Sequence, residues 1–417
     1  MKTAISLFSS SGIGDLAFKR QGIDVLVANE LLEERCNVFE QNFPETTMIQ
    51  GSIWDKEDEI VSTTVKKLNG RKLNFALVTP PCQGMSKNGR GKLLSEIKKG
   101  NRPKVDERNL LIIPAINILK ELEPESIIFE NVSEMVNTVI PHKEEMIDIL
   151  ALIKNQLDDY YVEAKVINFA DFGIPQNRTR LITIATKKEK SLERIKKKNS
   201  IFPKQTHSKG GDMFFKRWVT LRDTIGKTEP LDAKSKPKSS KHDLHFVSKL
   251  DNKKYHWISN TPEGLSAFNN QCIKCGYKEN PIHISRRDAT GTNRPSQETP
   301  IFCLECNEIL PRPYVDEKGG KRIMRGFTSA YKRMKWDEPA SAITTNFPYV
   351  SSDNKVHPSQ NRALSVMEAM MLQDIGNDEF IFSTVNKKTT FVTIRESLGE
   401  CVPPTMIEIF IQELLKS

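Results

Sequence analysis

Cys82 follows Pro80-Pro81 and precedes Gln83, at the close of the short apolar stretch Phe75–Val78. A thiolate at a strand end, followed by a polar loop, is placed to act as a nucleophile. A lone cysteine is more often a buried, inert packing residue, but two prolines rigidify the turn that presents this one. Glu130 closes the apolar stretch Ser126–Phe129. A carboxylate there serves as a general acid or base, or equally as a helix cap. Arg178 and Arg180 are two apart, so on an extended segment they share one face. Such a pair holds a phosphate or a carbonyl oxygen, or is ordinary surface charge. Ser11-Gly12-Ile13-Gly14 follows the first strand-like segment. A Gly-rich turn from strand to helix lets backbone approach a nucleotide-like ligand, and a plain tight turn has the same composition. Glu30 ends the next strand, where an acid would bind ribose hydroxyls.

A second constellation lies further on. Cys272-x-x-Cys275 and Cys303-x-x-Cys306 are separated by 27 residues. Two such knuckles supply four thiolates for tetrahedral zinc. Gly276 suits the tight turn around a metal, and the polar linking segment cannot build a core alone, so metal would supply folding energy. Four unrelated thiols or a redox pair are the alternatives; the matched spacing favours structural zinc. Cys36 and Cys401 read as packing residues.

The elements that must position these groups alternate. Residues 3–8, 23–28, 75–78, 126–129, 162–168 and 181–185 read as strands, and 16–21, 33–42 and 109–122 as helices. That alternation predicts an α/β fold with a parallel, doubly wound sheet, which binds ligands at the carboxyl ends of its strands. Residues 84–103 are rich in Gly, Lys, Asn and Arg, as a loop is. From about 201 to 350 the pattern is irregular, and helical periodicity returns at 363–373 and 403–415.

Among the 417 residues, 38% are hydrophobic and 28% charged, with a mean hydropathy of −0.46. These values exclude a membrane-embedded or disordered chain. Seven cysteines are too few for a disulfide scaffold, and no secretory signal is present, so a cytoplasmic location is expected. The net charge is +9, and residues 201–350 hold 26 Lys+Arg against 16 Asp+Glu while the flanks hold 36 against 37. The middle of the chain is therefore the part suited to a polyanion, or else a Lys-rich solvated face.

Taken in order, these segments resemble the DNA cytosine-5 methyltransferase family of the bacterial restriction-modification type. Leu7-Phe8 with Ser11-Gly12-Ile13-Gly14 resembles its S-adenosylmethionine loop, and Pro81-Cys82-Gln83, with Ser86 downstream, its nucleophile motif. Glu130-Asn131-Val132 resembles the Glu-Asn-Val motif, and Gly173-Ile174-Pro175-Gln176-Asn177-Arg178-Thr179-Arg180 the Gly-x-Pro-Gln-x-Arg-x-Arg motif. Arg362 through Glu368 to Leu372-Gln373 resembles the ninth motif, and Leu398-Gly399-Glu400-Cys401-Val402-Pro403-Pro404 the tenth.

The resemblance implies a Rossmann-like, S-adenosylmethionine-dependent catalytic domain in two parts, 1–202 and 351–417. A small, irregular target-recognition domain is inserted between them at 203–350, the stretch that also holds the four cysteines, whose reading as a zinc site rests on their spacing and not on the resemblance. It implies Cys82, Glu130, Arg178 and Arg180 as catalytic residues. Phe8, Gly12, Ile13, Gly14, Glu30, Leu31, Ser52, Ile53, Pro80, Glu400 and Val402 would bind the cofactor, and Gln83, Ser86, Lys87 and Arg90 would meet DNA. The expected reaction moves a methyl group to C5 of a cytosine flipped out of double-stranded DNA, through a covalent adduct between Cys82 and C6. The protein is expected to act as a monomer, away from membranes, with a cognate restriction endonuclease acting on the same site without direct binding. A same-fold enzyme acting on RNA and a non-catalytic DNA-binding homologue are the competing readings; the second predicts loss of the nucleophile or the acid, and both are present. This chain departs from the family pattern in the extra serines Ser9-Ser10-Ser11, in Ser52 where the third motif usually carries an acid, and in Glu400 where the tenth usually carries Asn.

Overall fold

Along the strands, apolar side chains alternate between two faces, and each face is roofed by helices. The computed structural model describes residues 1–81, 107–142, 145–287, 293–295, 298–324, 328–352, 354–376, 378–382 and 389–416. The chain begins with β1 (Thr3–Leu7), α1 (Leu16–Arg20), β2 (Asp24–Glu30), α2 (Glu33–Asn42), β3 (Thr47–Gln50), α3 (Ile53–Leu68) and β4 (Phe75–Val78). It continues with α4 (Ile112–Leu122), β5 (Ser126–Val132), α5 (Ile149–Gln156), β6 (Tyr161–Asn168) and β7 (Thr179–Thr186). It closes with α6 (Phe391–Glu400) and α7 (Pro404–Leu415). On β4, Ala76 and Val78 join the cluster that includes Ile60 of α3, Ile116 of α4 and Leu152 of α5. Phe75 and Leu77 join Phe18 of α1 and Met406 and Phe410 of α7 on the opposite face. Period-two alternation with both faces covered is what a doubly wound sheet requires. Each aliphatic or aromatic side chain so buried contributes about 1.5–3 kcal/mol. Pro404 sits in the first turn of α7, where its missing N–H costs nothing and its fixed φ favours the helix.

The seven strands lie in the order β3-β2-β1-β4-β5-β7-β6. The first five run parallel, but β7 is antiparallel to both β5 and β6. The sheet is thus mixed, where the sequence pattern predicts a parallel one. The reason is the connection from β6 to β7, which is Phe169–Arg178. It is shorter than the dozen or more residues that a parallel crossover needs.

The described chain forms two units. The first is Met1–Ile174, Arg178–Arg217 and Asp374–Ser417; the second is Pro175–Asn177 and Trp218–Gln373. The helix of the ninth motif, Val366–Leu372, therefore packs within the second unit. That unit has only short ladders, such as Tyr314–Glu317 with Gly320–Ile323. Its apolar centre is aromatic, with Trp257 edge-on to Tyr331 at 5.6 Å. Buried arginines hold the surrounding loops. Arg333 donates to the carbonyls of Thr261, Ile258, His357 and Gln360. Arg362 pairs twice with Glu368, at 2.6 and 2.7 Å, and neither side chain is exposed. Ser365 and Glu368 also form a capping box on Val366–Leu372. No helix of the described residues is long and apolar enough to cross a membrane.

Burial alone would raise the Glu368 carboxyl, but Arg362, by charge and hydrogen bond, holds it well below the usual carboxylate range. A depressed carboxylate gives stability above its unfolded pKa and loses it as pH falls toward the folded value. Glu368→Ala should therefore destabilise the second unit by about 3–5 kcal/mol, because it leaves Arg362 buried and uncompensated. Denaturant melts from pH 8 to 6 should give a constant difference from wild type, shrinking only below about pH 4. An equal loss at every pH down to 3 would assign the effect to packing instead.

Candidate active site

The carboxyl ends of β1, β2, β4 and β5 converge in the first unit. After β1 the backbone turns through three left-handed residues, Phe8 (φ 60°), Ser10 (φ 50°) and Gly12 (φ 85°). A Cβ at Gly12 would stand 2.6 Å from the rings of both Phe39 and Phe43, so only glycine lets the loop lie this close to α2. Glu30 binds the loop from the end of β2. One carboxylate oxygen accepts the Ser10 N–H at 2.9 Å, and the other accepts the Leu32 N–H at 3.0 Å. Each oxygen keeps a second lone pair. Leu31, between them, is 60% exposed. Ile13 is buried, and Gly14 lies against Ile407 and Leu77. Asn29 donates to the carbonyls of Ile49 and Gly51, which sets the backbone leading to Ser52 at the head of α3. The Ser52 side chain makes no cap hydrogen bond, and Ile53 is in the core.

The neighbouring edge is built by β4, β5 and β7. The Thr79 N–H donates to Leu7 O, and the Thr79 hydroxyl to Phe8 O at 3.0 Å. Asn131 at the end of β5 donates from Nδ2 to Pro80 O at 3.2 Å. These bonds fix the turn that leads toward Cys82. Cys82, Gln83, Ser86, Lys87 and Arg90 themselves lie outside the described residues. Glu130 pairs with Arg180, Oε1 to Nε, at 3.0 Å. The contact is an ion pair by distance, without the alignment of a hydrogen bond. The register explains it. Ile182 stands opposite Glu130, so Arg180 is the diagonal neighbour on the same face, within reach of a long side chain. Both groups are mostly buried, at 10% and 17% side-chain exposure.

Arg178 goes elsewhere. It is 1% exposed, and its guanidinium donates to the carbonyls of Gly399 and Glu400, each at 3.4 Å. A cation at the C-terminal end of α6 satisfies carbonyls that the helix leaves open and meets the negative end of its dipole. The Glu400 carboxyl turns instead to Arg35, at 2.8 Å; burial raises its pKa against that pairing. Val402 is a core residue under α7, and Cys36 and Cys401 are both buried. Burial pushes each of these thiols up to about 12, which makes them inert at neutral pH. Two positioning residues escape the sequence reading of the site. Asn131 is visible within a quoted motif, whereas Arg35 carries no local signal.

In the second unit, Cys272, Cys275, Cys303 and Cys306 bring their sulfurs within 4.8 Å of one another. The Cys272–Cys306 and Cys275–Cys303 separations are 3.6 and 3.7 Å. A tetrahedron with metal–sulfur bonds of about 2.3 Å has edges of about 3.8 Å, and all four cysteines are free thiols. The donor set therefore fits a closed zinc site. Gly276 (φ 75°) and Asn307 (φ 55°) make the left-handed turns behind the two pairs.

A sequence profile of the C-5 cytosine-specific DNA methylase family matches residues 2–416. The chain is 27% identical over 423 residues to Type II methyltransferase M1.HgaI of Avibacterium volantium, covering 98% of this chain and 97% of that one. It is 25% identical over 418 residues to Type II methyltransferase M1.HphI of Haemophilus parahaemolyticus, with coverage of 99% and 87%. Among solved structures, it is similar to a DNA modification methyltransferase encoded within an E. coli prophage. There the TM-score is 0.56 and the identity 19%, with 99% and 98% of the chains covered. The Spodoptera frugiperda DNMT2 mutant gives a TM-score of 0.52 at 14% identity, with both chains fully covered. At these identities the solved structures share the fold alone.

The loop at Gly12 yields a paired expectation. Gly12→Ala adds ring displacement to left-handed strain, about 1–3 kcal/mol beyond the roughly 1–2 kcal/mol of the backbone. Gly70 is also left-handed, at φ 80°, but a Cβ there meets nothing within 4 Å. Gly70→Ala should therefore show the backbone cost alone. Thermal unfolding of both variants measures the difference; equal losses would remove the case for close packing at Gly12.

Proposed function

Since the chain belongs to the C-5 cytosine-specific DNA methylase family, we propose that it transfers a methyl group from S-adenosylmethionine to C5 of a flipped-out cytosine in duplex DNA. One observation carries this reading: the Glu130–Arg180 pair stands at the strand edge where Asn131 holds the Pro80 turn that leads to Cys82. The relatives named as Type II methyltransferases support a protective role in a restriction-modification system, with a cognate endonuclease acting separately on the same site. The protein works as a monomer in the bacterial cytoplasm.

The ring of cytosine is too electron-poor at C5 to accept a methyl group unaided. Cys82 adds as a thiolate to C6, which makes C5 nucleophilic. Glu130 holds the proton at N3 that stabilises this adduct, and Arg180 binds O2 while keeping Glu130 in place. Arg178 is a positioning residue: it holds the end of α6 and the following segment to Val402. Once C5 has taken the methyl group, which S-adenosylmethionine would supply, a base removes the C5 proton, and the thiolate is expelled. Flipping the base out of the stack costs a few kcal/mol, and Gln83, Ser86, Lys87 and Arg90 would meet the DNA during that step.

S-adenosylmethionine supplies the methyl group. The residues at the ends of β1 and β2 fit it. The loop from Phe8 to Gly14 offers backbone at close approach, and Glu30 has lone pairs for ribose hydroxyls. Leu31 is an exposed apolar face for the adenine, and Ser52 and Ile53 would join it in binding the cofactor. Pro80, Glu400 and Val402 complete the pocket in this reading. The second unit acts as the target-recognition domain, and zinc on the four cysteines holds its knuckles together.

Bisulfite sequencing of DNA from cells expressing the chain reports activity, target base and context together. Cys82→Ser should abolish conversion, because a neutral hydroxyl is a poor nucleophile. Glu130→Gln should bind DNA yet slow single turnovers by about 100- to 10,000-fold. Near-normal methylation by Cys82→Ser would overturn the assignment.

Purified protein should also carry about one zinc per chain. Replacing Cys275 and Cys306 by Ser should remove it and open the second unit to proteolysis, while cofactor affinity changes little. Metal-free protein prepared without chelators, with four freely reactive thiols, would refute the zinc site.

A further inference from the structure

A tight turn at Gly210–Phe215 displays the two most exposed large apolar side chains among the described residues, Met1 aside. Met213 is 91% exposed and Phe214 84%. The turn is closed from within. Asp212 Oδ1 accepts the N–H groups of Phe214 and Phe215 at 2.7 and 2.8 Å, and the Asp212 N–H donates to Phe215 O at 2.8 Å. Gly211 is left-handed (φ 66°), and a Cβ there would meet the Arg217 backbone at 2.9 Å. Two large apolar groups are thus held in water by a backbone that has no freedom to tuck them away. Folding gains nothing from this display, so it calls for an occupant.

The base of the turn is tied to the candidate active site. His207–Ser208 pairs with Lys216–Arg217, and Thr206 N–H donates to Asp171 O at 3.0 Å. The His207 ring packs on Gly173, where a Cβ would stand 2.7 Å away. Asp171 and Gly173 lie in the connection from β6 to β7 that leads into Arg180, all within the first unit. The charge around the turn is one-sided. Lys204, Lys209, Lys216 and Arg217 are exposed, and the one acid between residues 201 and 217, Asp212, spends a carboxylate oxygen on the backbone.

We propose that this turn is a DNA-contacting wedge: Met213 and Phe214 seat against base pairs in a groove while the surrounding lysines meet flanking phosphates. The inference rests on the DNA reading above and extends it to a surface outside the reacting groups. Apolar wedges that press between base steps are a known way to deform a duplex, and an enzyme that extrudes a base gains from weakened stacking. A rigid turn attached to the strand that carries Arg180 would set where that deformation occurs relative to the reaction. An anionic membrane is the other surface that such a turn could meet, and the experiment separates the two.

The test compares wild type, Met213→Ala/Phe214→Ala and Lys209→Ala/Lys216→Ala, binding a mixed-sequence DNA duplex at several salt concentrations. The apolar pair should lose about tenfold to a hundredfold in affinity with an unchanged salt slope. The lysine pair should lower the slope by about 0.9 for each phosphate contact removed. In Phe214→Trp, the added fluorescence should change on binding DNA and stay unchanged with vesicles of phosphatidylcholine and phosphatidylserine. Circular dichroism and S-adenosylmethionine affinity should match wild type throughout, since all four replaced side chains stand in solvent. Wild-type DNA affinity in the apolar pair, or a fluorescence response to vesicles alone, would overturn the wedge. The two readings fail separately. Absence of methyl transfer by wild type refutes the proposed activity, while unchanged affinity in the apolar pair refutes the wedge whether or not methyl transfer occurs.

Discussion

The reversal of one strand decides where the charged groups meet. Strand β7 runs antiparallel to β5, so its beginning lies beside the end of β5. Arg180 is the second residue of β7 and Glu130 is two residues from the end of β5. Had β7 run parallel with the two strands starting level, Arg180 would stand beside Ile127, roughly 10 Å along the sheet from Glu130 at about 3.3 Å per residue. The ten-residue connection that forbids a crossover therefore also creates the ion pair. Its one left-handed glycine, Gly173 (φ 89°), closes the short helical turn Phe169–Phe172 and redirects the chain back along the sheet.

Around that pair, the strand ends are held by hydrogen bonds that cross from one strand to the next. Asn131 reaches Pro80, Thr79 reaches Phe8, and Glu30 reaches Ser10. Each joins a side chain at one strand end to backbone in the loop of its neighbour. A carbonyl or N–H left open at such an edge would cost about 1–3 kcal/mol once water is excluded. The same bonds that avoid this cost also fix the loops where ligand would approach. Position at the edge is thus set by backbone satisfaction, before any substrate arrives.

Much of this is legible in the sequence, and the failures have physical causes. The strands at β1, β2, β4 and β5 announce themselves as apolar runs closed by polar residues, and Glu130 and Arg180 do come together. The direction of β7 is not legible, because apolar periodicity carries no sign; only the length of the preceding connection does. Helix α3, Ile53–Leu68, escapes a reading by pattern because its apolar residues are diluted by charge, and only Ile53, Ile60, Val61 and Leu68 among its large aliphatics are buried. Spacing alone makes Arg178 and Arg180 one extended pair. Arg178 lies before β7 begins, and its burial against Gly399 and Glu400 depends on residues more than two hundred positions away. No local spacing encodes such a contact. The four cysteines are legible because two matched Cys-x-x-Cys pairs carry their own short-range spacing, independent of the rest of the fold.

The charge of the middle segment needs reading residue by residue. Its excess of basic over acidic residues counts every cation as though it faced water. Arg312 and Arg333 do not; they are 0% and 4% exposed. Arg312 donates to the carbonyls of Asn270, Pro281 and Pro300, holding together the chain on either side of the cysteine knuckles. Burial lowers both guanidinium pKa values to about 10, which leaves them charged at neutral pH and useful as donors. A planar fork with about five N–H groups can satisfy several irregular loop carbonyls at once, which lysine cannot. Lysines such as Lys227, Lys234, Lys238, Lys241 and Lys249 remain exposed. The two kinds of cation therefore divide the work. The buried arginines substitute for the regular hydrogen bonding that this unit lacks, and the lysines, with exposed arginines such as Arg222 and Arg286, supply the field that a polyanion would meet. A charge count alone merges the two, and burial is what separates them.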